Sequence, residues 1–458
     1  MNTKQFQHLH ARAGFGISKS LHHNLSKKQD RFNVVNDLLS ASDPITELKV
    51  DISEFENLTL QDFRDKATRQ KIQKQSRMKM LDFNKKWIER LSNTNEVLRE
   101  KMTLFWANHF VCRDNLNVIH INQYNNKLRK NALGNFGDFV KAVSKEASML
   151  KYLNTKQNRK KEPNENFARE LMELFTLGEG QYSETDVKEA ARAFTGYNHD
   201  LRGNFKFRKF QHDAGKKDFL GKSGNFKGDD IIDIILEQRQ CARFVCEKIY
   251  SYFVNDNVNY DHIEEISEVF YKDYNIENLM RYIFSSDWFY DDNNIGVKIK
   301  SPIEFLVGMR NIVPITFQNR KDLLKIQKLL GQVLLFPPNV AGWKGGKNWI
   351  DANTMMLRLK LPSVILSNAK ISIQEKGEFE DSYEKYYTTK KRKQFVKADV
   401  DWEQFDKTFE GTAFDELKDI ILATNLSKGA KDYISGLNQN SKRNFCVQLM
   451  SLPEYQMC

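Results

Sequence analysis

Proline and cysteine are scarce in this chain of 458 residues, and long apolar runs are missing. With 8 prolines against a charged fraction of 29% and an apolar fraction of 40%, extended disordered tails are not expected. The five cysteines, Cys112, Cys241, Cys246, Cys446 and Cys458, are odd in number and widely spaced. That pattern suggests no disulfide framework or zinc knuckle, and reduced, buried thiols are the reading. No window approaches ~18 consecutive apolar residues, so no membrane span is expected. The segment from Met1 to Gly16 holds no apolar stretch of signal-peptide length, which reads as a cytoplasmic chain, with export left open if the N-terminus is processed.

What is present is a large aromatic core. The 32 phenylalanines predict that ring packing dominates the interior. The formal net charge of +11, from 71 basic and 60 acidic residues, attracts polyanions from every side. Its runs are Arg64, Lys66, Arg69, Lys71, Lys74, Arg77 and Lys79, then Lys156, Arg159, Lys160 and Lys161, then Lys390, Lys391, Arg392 and Lys393. Such runs are usually solvated faces, and a functional anion surface is the alternative. Nucleic-acid binding would rest on this charge alone, since no recognised motif accompanies it.

The periodicity predicts a mainly α protein, a multi-helix globular body with a small β-hairpin insertion near 204–227. Residues 62–92 contain neither proline nor glycine and read as one long basic helix. Residues 95–110 and 121–152 continue the helical pattern. A helix from about Asn164 stops at Gly178, and another starts at Ser183 with Asp186 in capping-box position and stops at Gly196. In Asn204–Phe210 the period changes to two. Pro302 opens a helix through Met309, Lys321–Leu335 reads as helical, and Asp351 caps a further helix. The domain reading is a helical core over 1–372, a polar basic linker over 373–412 and a small helical unit over 413–458.

Four short polar stretches and one Gly/Trp loop fit neither a wet surface nor a plain core. In His8–Gly16, Gly14 and Gly16 permit a tight turn, and Arg12 could grip a carboxylate or phosphate; a structural hook is the alternative. In Glu100–Phe110, His109 ends an aromatic helix as a ligand, a general base, a cap or a satisfied core histidine. In Pro163–Phe175, Phe167, Leu171 and Leu174 make the core face. Glu170 and Glu173 are three apart and can share a cation or raise one another's pKa, and Arg169 can pair with Glu173. No Glu-x-x-His repeats occur on other helices, which disfavours a di-iron bundle. In Gln211–Gly221, His212 and Asp213 end a strand before Gly215 and Lys216, leaving a metal site, an acid/base pair and an anion pocket open. The loop Gly221–Gly228 lacks the spacing and order of a phosphate-binding P-loop. In Gly331–Trp349, Trp343 and Trp349 form either a platform for a sugar or base or a hydrophobic plug.

These stretches together resemble the bacterial family catalogued as domain of unknown function 1800. The similarity spans nearly the whole chain. It rests on the His-Ala-Arg-Ala-Gly-Phe-Gly start, Glu100–Phe110, Asn164–Gly178, Tyr182 through Thr195-Gly196, His212-Asp213 with Gly215 and Lys216, Phe336–Trp349 and the Leu452-Pro453-Glu454-Tyr455 ending. Relatives commonly carry His-Asn-His where this chain has Ala107-Asn108-His109, and Thr-Gly-Trp where it has Thr195-Gly196-Tyr197. Many relatives look exported. The resemblance implies a fold and candidate positions, and no established activity.

The functional expectation is an enzyme with a polar cleft acting on an anionic or glycan-type substrate. Its catalytic candidates are Glu173, His212, Arg169 and Lys216. Its substrate-binding candidates are Arg12, Arg192, Asn164, Trp343 and Trp349. A divalent metal ion held by Glu170, Asp213 or His109 is the cofactor expectation. The alternative is a non-catalytic binding or assembly protein whose motif charges form an internal salt-bridge network.

Overall fold

The computed structural model describes all residues except 18–20, 22–28, 56, 115, 368–395, 397 and 438, and the side chains of residues 60 and 320 also fall outside the description. Most of the expected 373–412 linker, including the Lys390–Lys393 run, lies outside the described residues. The chain is mainly helical, with two-stranded antiparallel sheets as its β-structure among the described residues. None of the described helices is long and apolar enough to cross a membrane.

The helices that position the site are α1 (Thr3–Ala13), α2 (Arg31–Ser40), α3 (Lys66–Ser92), α4 (Val97–His109), α5 (Val118–Asn131), α6 (Asn166–Glu170) and α7 (Glu184–Ala193). They continue with α8 (Gly228–Leu236), α9 (Arg239–Phe253), α10 (Pro302–Ile312), α11 (Arg320–Leu330) and α12 (Ala352–Leu366). Local chemistry sets many ends. Ser183 caps α7 with Asp186 in a reciprocal box, and Ser301 caps α10 with Glu304 and Pro302. Gly331 at φ +91° ends α11 five residues before the expected stop, because the chain there enters a left-handed turn.

The expected hairpin is two hairpins. The Phe205–Phe207 strand pairs backward with Tyr197–His199, and Lys217–Phe219 pairs separately with Lys222–Gly224. The turn 200–204 is closed by Asp200, whose carboxylate accepts from the amides of Arg202 and Asn204. The expected continuous helix 121–152 is broken into Val118–Asn131, Phe136–Val143 and Ala147–Tyr152.

Two apolar clusters make the interior. The first gathers Phe6, Trp106, Phe110, Phe136, Phe139, Phe175, Phe194 and Phe253. The second gathers Phe83, Trp87, Phe305, Met309, Leu361 and, from the last stretch of chain, Leu417, Phe445, Leu449 and Tyr455. A strand Ala398–Val400 pairs with Ile315–Phe317, so described residues on either side of 368–395 share one sheet. All five cysteines are free and buried, as their spacing predicts.

Helix α4 runs between the two clusters and is buried on every side: Leu98, Met102, Phe105 and Trp106 belong to the first cluster and Leu104 to the second. It also carries the consecutive charged residues Arg99, Glu100 and Lys101 into the interior, none more than 5% exposed. Each is fully engaged. Arg129 Nε and Nη2 donate to the two oxygens of Glu100 at 2.6 and 3.1 Å, Arg90 Nε adds a bond at 3.2 Å, and Trp87 Nε1 adds one at 3.3 Å. Arg99 donates to the carbonyls of Ser42 and Arg129. A buried carboxylate met by a forked guanidinium is stable only as a pair, and removing one member leaves the other charged and dry. Glu100→Gln is therefore expected to lower stability in chemical denaturation by about 3–5 kcal/mol. The double variant Glu100→Leu with Arg129→Met should recover a substantial part of that loss. A single variant as stable as the parent would show that the pair contributes nothing.

Candidate functional site

A cleft of about 590 Å³ opens where the end of α4, the end of α9, the start of α10 and the Gly/Trp loop meet. Its walls include Asn108, His109, Lys248, Tyr252, Trp343 and Trp349, with Lys298 and Glu304 at its charged floor and Asp256 exposed beside Gly346. Volumes of this order suit a small-molecule ligand. Asn108 builds the loop side. Its Oδ1 accepts from the Trp343 amide at 2.7 Å and its Nδ2 donates to the Trp343 carbonyl at 3.1 Å. The preceding residue, Gly342, has φ +77°, and a Cβ there would collide with Asn108. Glycine is required by both the backbone angle and the close approach. Trp343 and Trp349 are 7% and 8% exposed. They are walls rather than open platforms, and Trp343 also lines a small cavity with Trp87 and Pro337 on its other side.

His109 sits in the same cleft. Its Nε2 lies 2.9 Å from the Phe175 carbonyl, which can only accept, so Nε2 carries the proton and Nδ1 the lone pair. Burial, opposed by that hydrogen bond, brings its pKa down to about 3. Such an imidazole is neutral at physiological pH and a weak base. Phe175 belongs to a π-helical turn, Leu171–Thr176, that follows α6 without a break. The wider turn shifts the register. Leu171, Met172, Phe175 and Thr176 are buried, and Leu174, expected in the core, is half-buried and faces the cleft.

The cations around the floor outnumber the carboxylates. Lys101 pairs with Glu304 and donates to the Gly14 carbonyl at 2.8 Å. Lys298 pairs with Asp256 and donates to the Ser251 carbonyl at 2.6 Å. Lys300 donates to the Tyr455 carbonyl, Arg358 to the Lys300 carbonyl and Arg12 to the Asn294 carbonyl. Burial pulls Lys300 down to about 8 and Arg358 to about 10. Glu304 is held at about 2: burial opposes its charge, and Lys101 and the Ser301 cap overcome that opposition. Arg12 is buried and feels the charges of Glu304 and Asp256, so it stands behind the floor, unexposed to the cleft as a direct clamp. At the rim Lys248, Lys344 and Lys347 are exposed, with no ion partner among the described residues.

The remaining sequence candidates lie elsewhere. Asn164, Arg169, Glu170, Glu173, Arg192, His212, Asp213 and Lys216 do not line this cleft. Arg169 pairs with Glu184 at 2.7 Å and Glu165 at 3.2 Å rather than with Glu173. Glu173 accepts instead from the Tyr182 hydroxyl at 3.0 Å. Glu170 is half-buried, and burial followed by the neighbouring Glu173 raises its pKa. Asn164 donates its amide to Asn158 and accepts from Asn166. Arg192 joins Asp213 at 2.7 Å to Glu189 at 2.8 Å. His212 Nδ1 donates to the Thr195 carbonyl at 3.0 Å, and burial lowers its pKa. His212 and Asp213 do not end a strand as expected: the strand stops at Phe207, a 3-10 turn over Lys209–Gln211 follows, and the two side chains turn to different partners, the Thr195 carbonyl and Arg192. Lys216 is exposed, and its neighbour Lys217 is the buried one, donating to the carbonyls of Asp213 and Gly215. The metal candidates His109, Glu170 and Asp213 fall in three separate surroundings, and no group of three or more metal-ligating side chains gathers among the described residues.

Of the candidates, His109, Trp343 and Trp349 come together, with Arg12 behind them. Sequence reasoning missed Asn108, Lys248, Asp256, Lys298 and Glu304. A signal existed for two of them: Lys298 and Lys300 alternate in an extended segment, and Ser301-Pro302-x-Glu304 is a capping box whose glutamate has a second face free.

The fold and the cleft define a helical protein organised on a buried, charged central helix. The chain belongs to the family described as protein of unknown function DUF1800, whose model matches residues 8–457. No curated protein and no solved structure matches it.

Asn108→Ala removes both bonds to the Trp343 peptide and is expected to cost about 1–3 kcal/mol. Hydrogen exchange should show the Trp343 amide losing protection; unchanged protection would refute the clamp. Acid should also weaken the fold. His10 and His120 are held at about 4 and His109 at about 3. The unfolded chain then binds more protons than the folded one from about pH 6.5 downward, so stability falls as pH falls through that window. The thermal midpoint is expected to drop by several degrees between pH 7 and pH 4.5, less steeply in His10→Phe. A flat profile over that range would contradict this.

Proposed function

We propose that this protein is a binding protein for a small anionic ligand of phosphorylated or carboxylated sugar type, taken in the cleft between α4, α9, α10 and the Gly/Trp loop. The observation that carries the proposal is the excess of positive charge around the cleft. Lys248, Lys344 and Lys347 stand at the rim without acid partners among the described residues. Behind them Lys101 and Lys298 are paired with Glu304 and Asp256, whereas Arg12, Lys300 and Arg358 are met by neutral oxygens. Carbonyls satisfy donors but do not cancel charge, so the cleft keeps a positive potential in a partly dry setting where it is weakly screened. The tryptophans, buried but for an edge, bound the cleft with apolar surface against which the less polar part of such a ligand can rest.

Binding is favoured over acid–base catalysis by the engagement of the other motif charges. Arg169 and Arg192 are tied to acids and His212 to the Thr195 backbone, which supports the internal-network role for those residues. His109, with a pKa of about 3, suits a hydrogen-bond acceptor better than a general base near neutral pH.

The test is a thermal-shift and calorimetric screen of inorganic phosphate, glucose 6-phosphate, galacturonate and ATP against neutral glucose, with elemental analysis of the purified protein alongside. An anionic ligand should raise the melting point, and Lys344→Glu with Lys347→Glu should weaken its binding at least tenfold without changing the melting point of the free protein. Equal binding of neutral glucose, or unchanged affinity in the double variant, would reject the proposal.

A further inference from the structure

The basic run at the start of α3 lies away from this cleft and beside a second cavity. Lys66, Arg69, Lys71, Lys74 and Arg77 are exposed along the helix, and the stretch from Lys66 to Leu81 contains no acid. Lys79 alone of the run pairs with acids, Asp51 and Glu54, among the described residues. Against the same helix lies a groove of about 370 Å³ whose walls include Ile52, Phe55, Phe63, Ile72, Val118 and Leu201. Arg202, exposed and without an ion partner among the described residues, also lines it.

We infer that this groove takes the hydrocarbon chain of a single-chain amphiphile with an anionic head, of which a fatty acid is the simplest form. Two independent features converge. A groove of this size with mainly apolar walls leaves apolar surface against water, a cost that an alkyl chain removes. Cations stand beside it: Arg202 in its lining, and Arg69 three residues before Ile72 on the adjoining stripe of α3. A carboxylate head at the opening would meet forked donors while the chain lies inside. Nucleic acid would use the same charges and leave the groove empty, since its phosphates need only the exposed face of the helix.

The experiment titrates sodium myristate, below its aggregation concentration, into the full chain by calorimetry. Saturable one-to-one binding is expected, with a rise in melting point, and neutral tetradecanol should bind at least tenfold more weakly. Arg69→Glu with Arg202→Glu, both on exposed side chains, should weaken myristate at least tenfold and leave the free protein's melting point unchanged. Leu58→Trp, which narrows the groove, should weaken myristate and tetradecanol alike. Absence of saturable binding, or unchanged affinity in the charge variant, overturns the inference. So does retention on phosphatidylglycerol vesicles or on a DNA duplex without myristate binding, which would make the basic helix a plain polyanion surface.

Discussion

The structure depends on burying consecutive charges on one helix. Arg99, Glu100 and Lys101 point in three directions from α4, so no single neighbour can neutralise them. Glu100 must draw Arg129 and Arg90 inward, Lys101 must draw Glu304 and the Gly14 carbonyl, and Arg99 must find the carbonyls of Ser42 and Arg129. An unpaired charge at any of these places costs several kcal/mol, about as much as much of a domain's net stability. The helices and loops that supply the partners are thereby fixed in place around α4. The last turn of the same helix repeats the arrangement with neutral groups, Asn108 holding the Trp343 peptide and His109 the Phe175 carbonyl.

Separate sequence motifs meet on this axis. The N-terminal hook reaches it through Gly14, the acidic helix through Phe175 and the Gly/Trp loop through Trp343. The His212 segment does not. It closes on Thr195 and Arg192, and Asn158 ties that neighbourhood to the loop before α6. One motif set is therefore divided between a central cleft and a peripheral scaffold. The cost of buried polarity, which singles these residues out in the sequence, is met in both places by different means.

What the sequence made legible was local. The Ser183–Asp186 box, the stop at Gly178, the 3.6-residue periods and the alternation of Phe205 and Phe207 each declare themselves within a few residues. The partner of that strand was not legible, because Tyr197–His199 carries no alternation of its own over three residues. The π-turn was also hidden: one extra residue in a helix leaves composition unchanged, and Leu174 ends half-buried, packed against the core and lining the cleft. At the site, His109 and the two tryptophans were readable because histidine and tryptophan are rare and conspicuous. Lys248 and Asp256 were not, since an isolated lysine or aspartate resembles surface until the fold brings distant segments to it. The choice between Lys216 and Lys217 turned on a strand register that begins at the second of them.

Glu304 shows why structural and binding roles need not be rivals here. One carboxylate accepts from Ser301 as the cap of α10, neutralises Lys101 from α4 and lines the cleft floor. Its pKa of about 2 keeps it ionised at every physiological pH, so it repels an incoming anion while the surrounding cations attract one. In the proposed binding mode that balance would put an anion's charge toward Lys248, Lys344 and Lys347 and its less polar part against the tryptophans. Because Lys101 also holds the Gly14 carbonyl, a ligand that drew Lys101 toward itself would loosen the hook of α1 at the same moment. On the proposed binding role, occupancy of the cleft would couple to packing of the N-terminus through that buried ion pair.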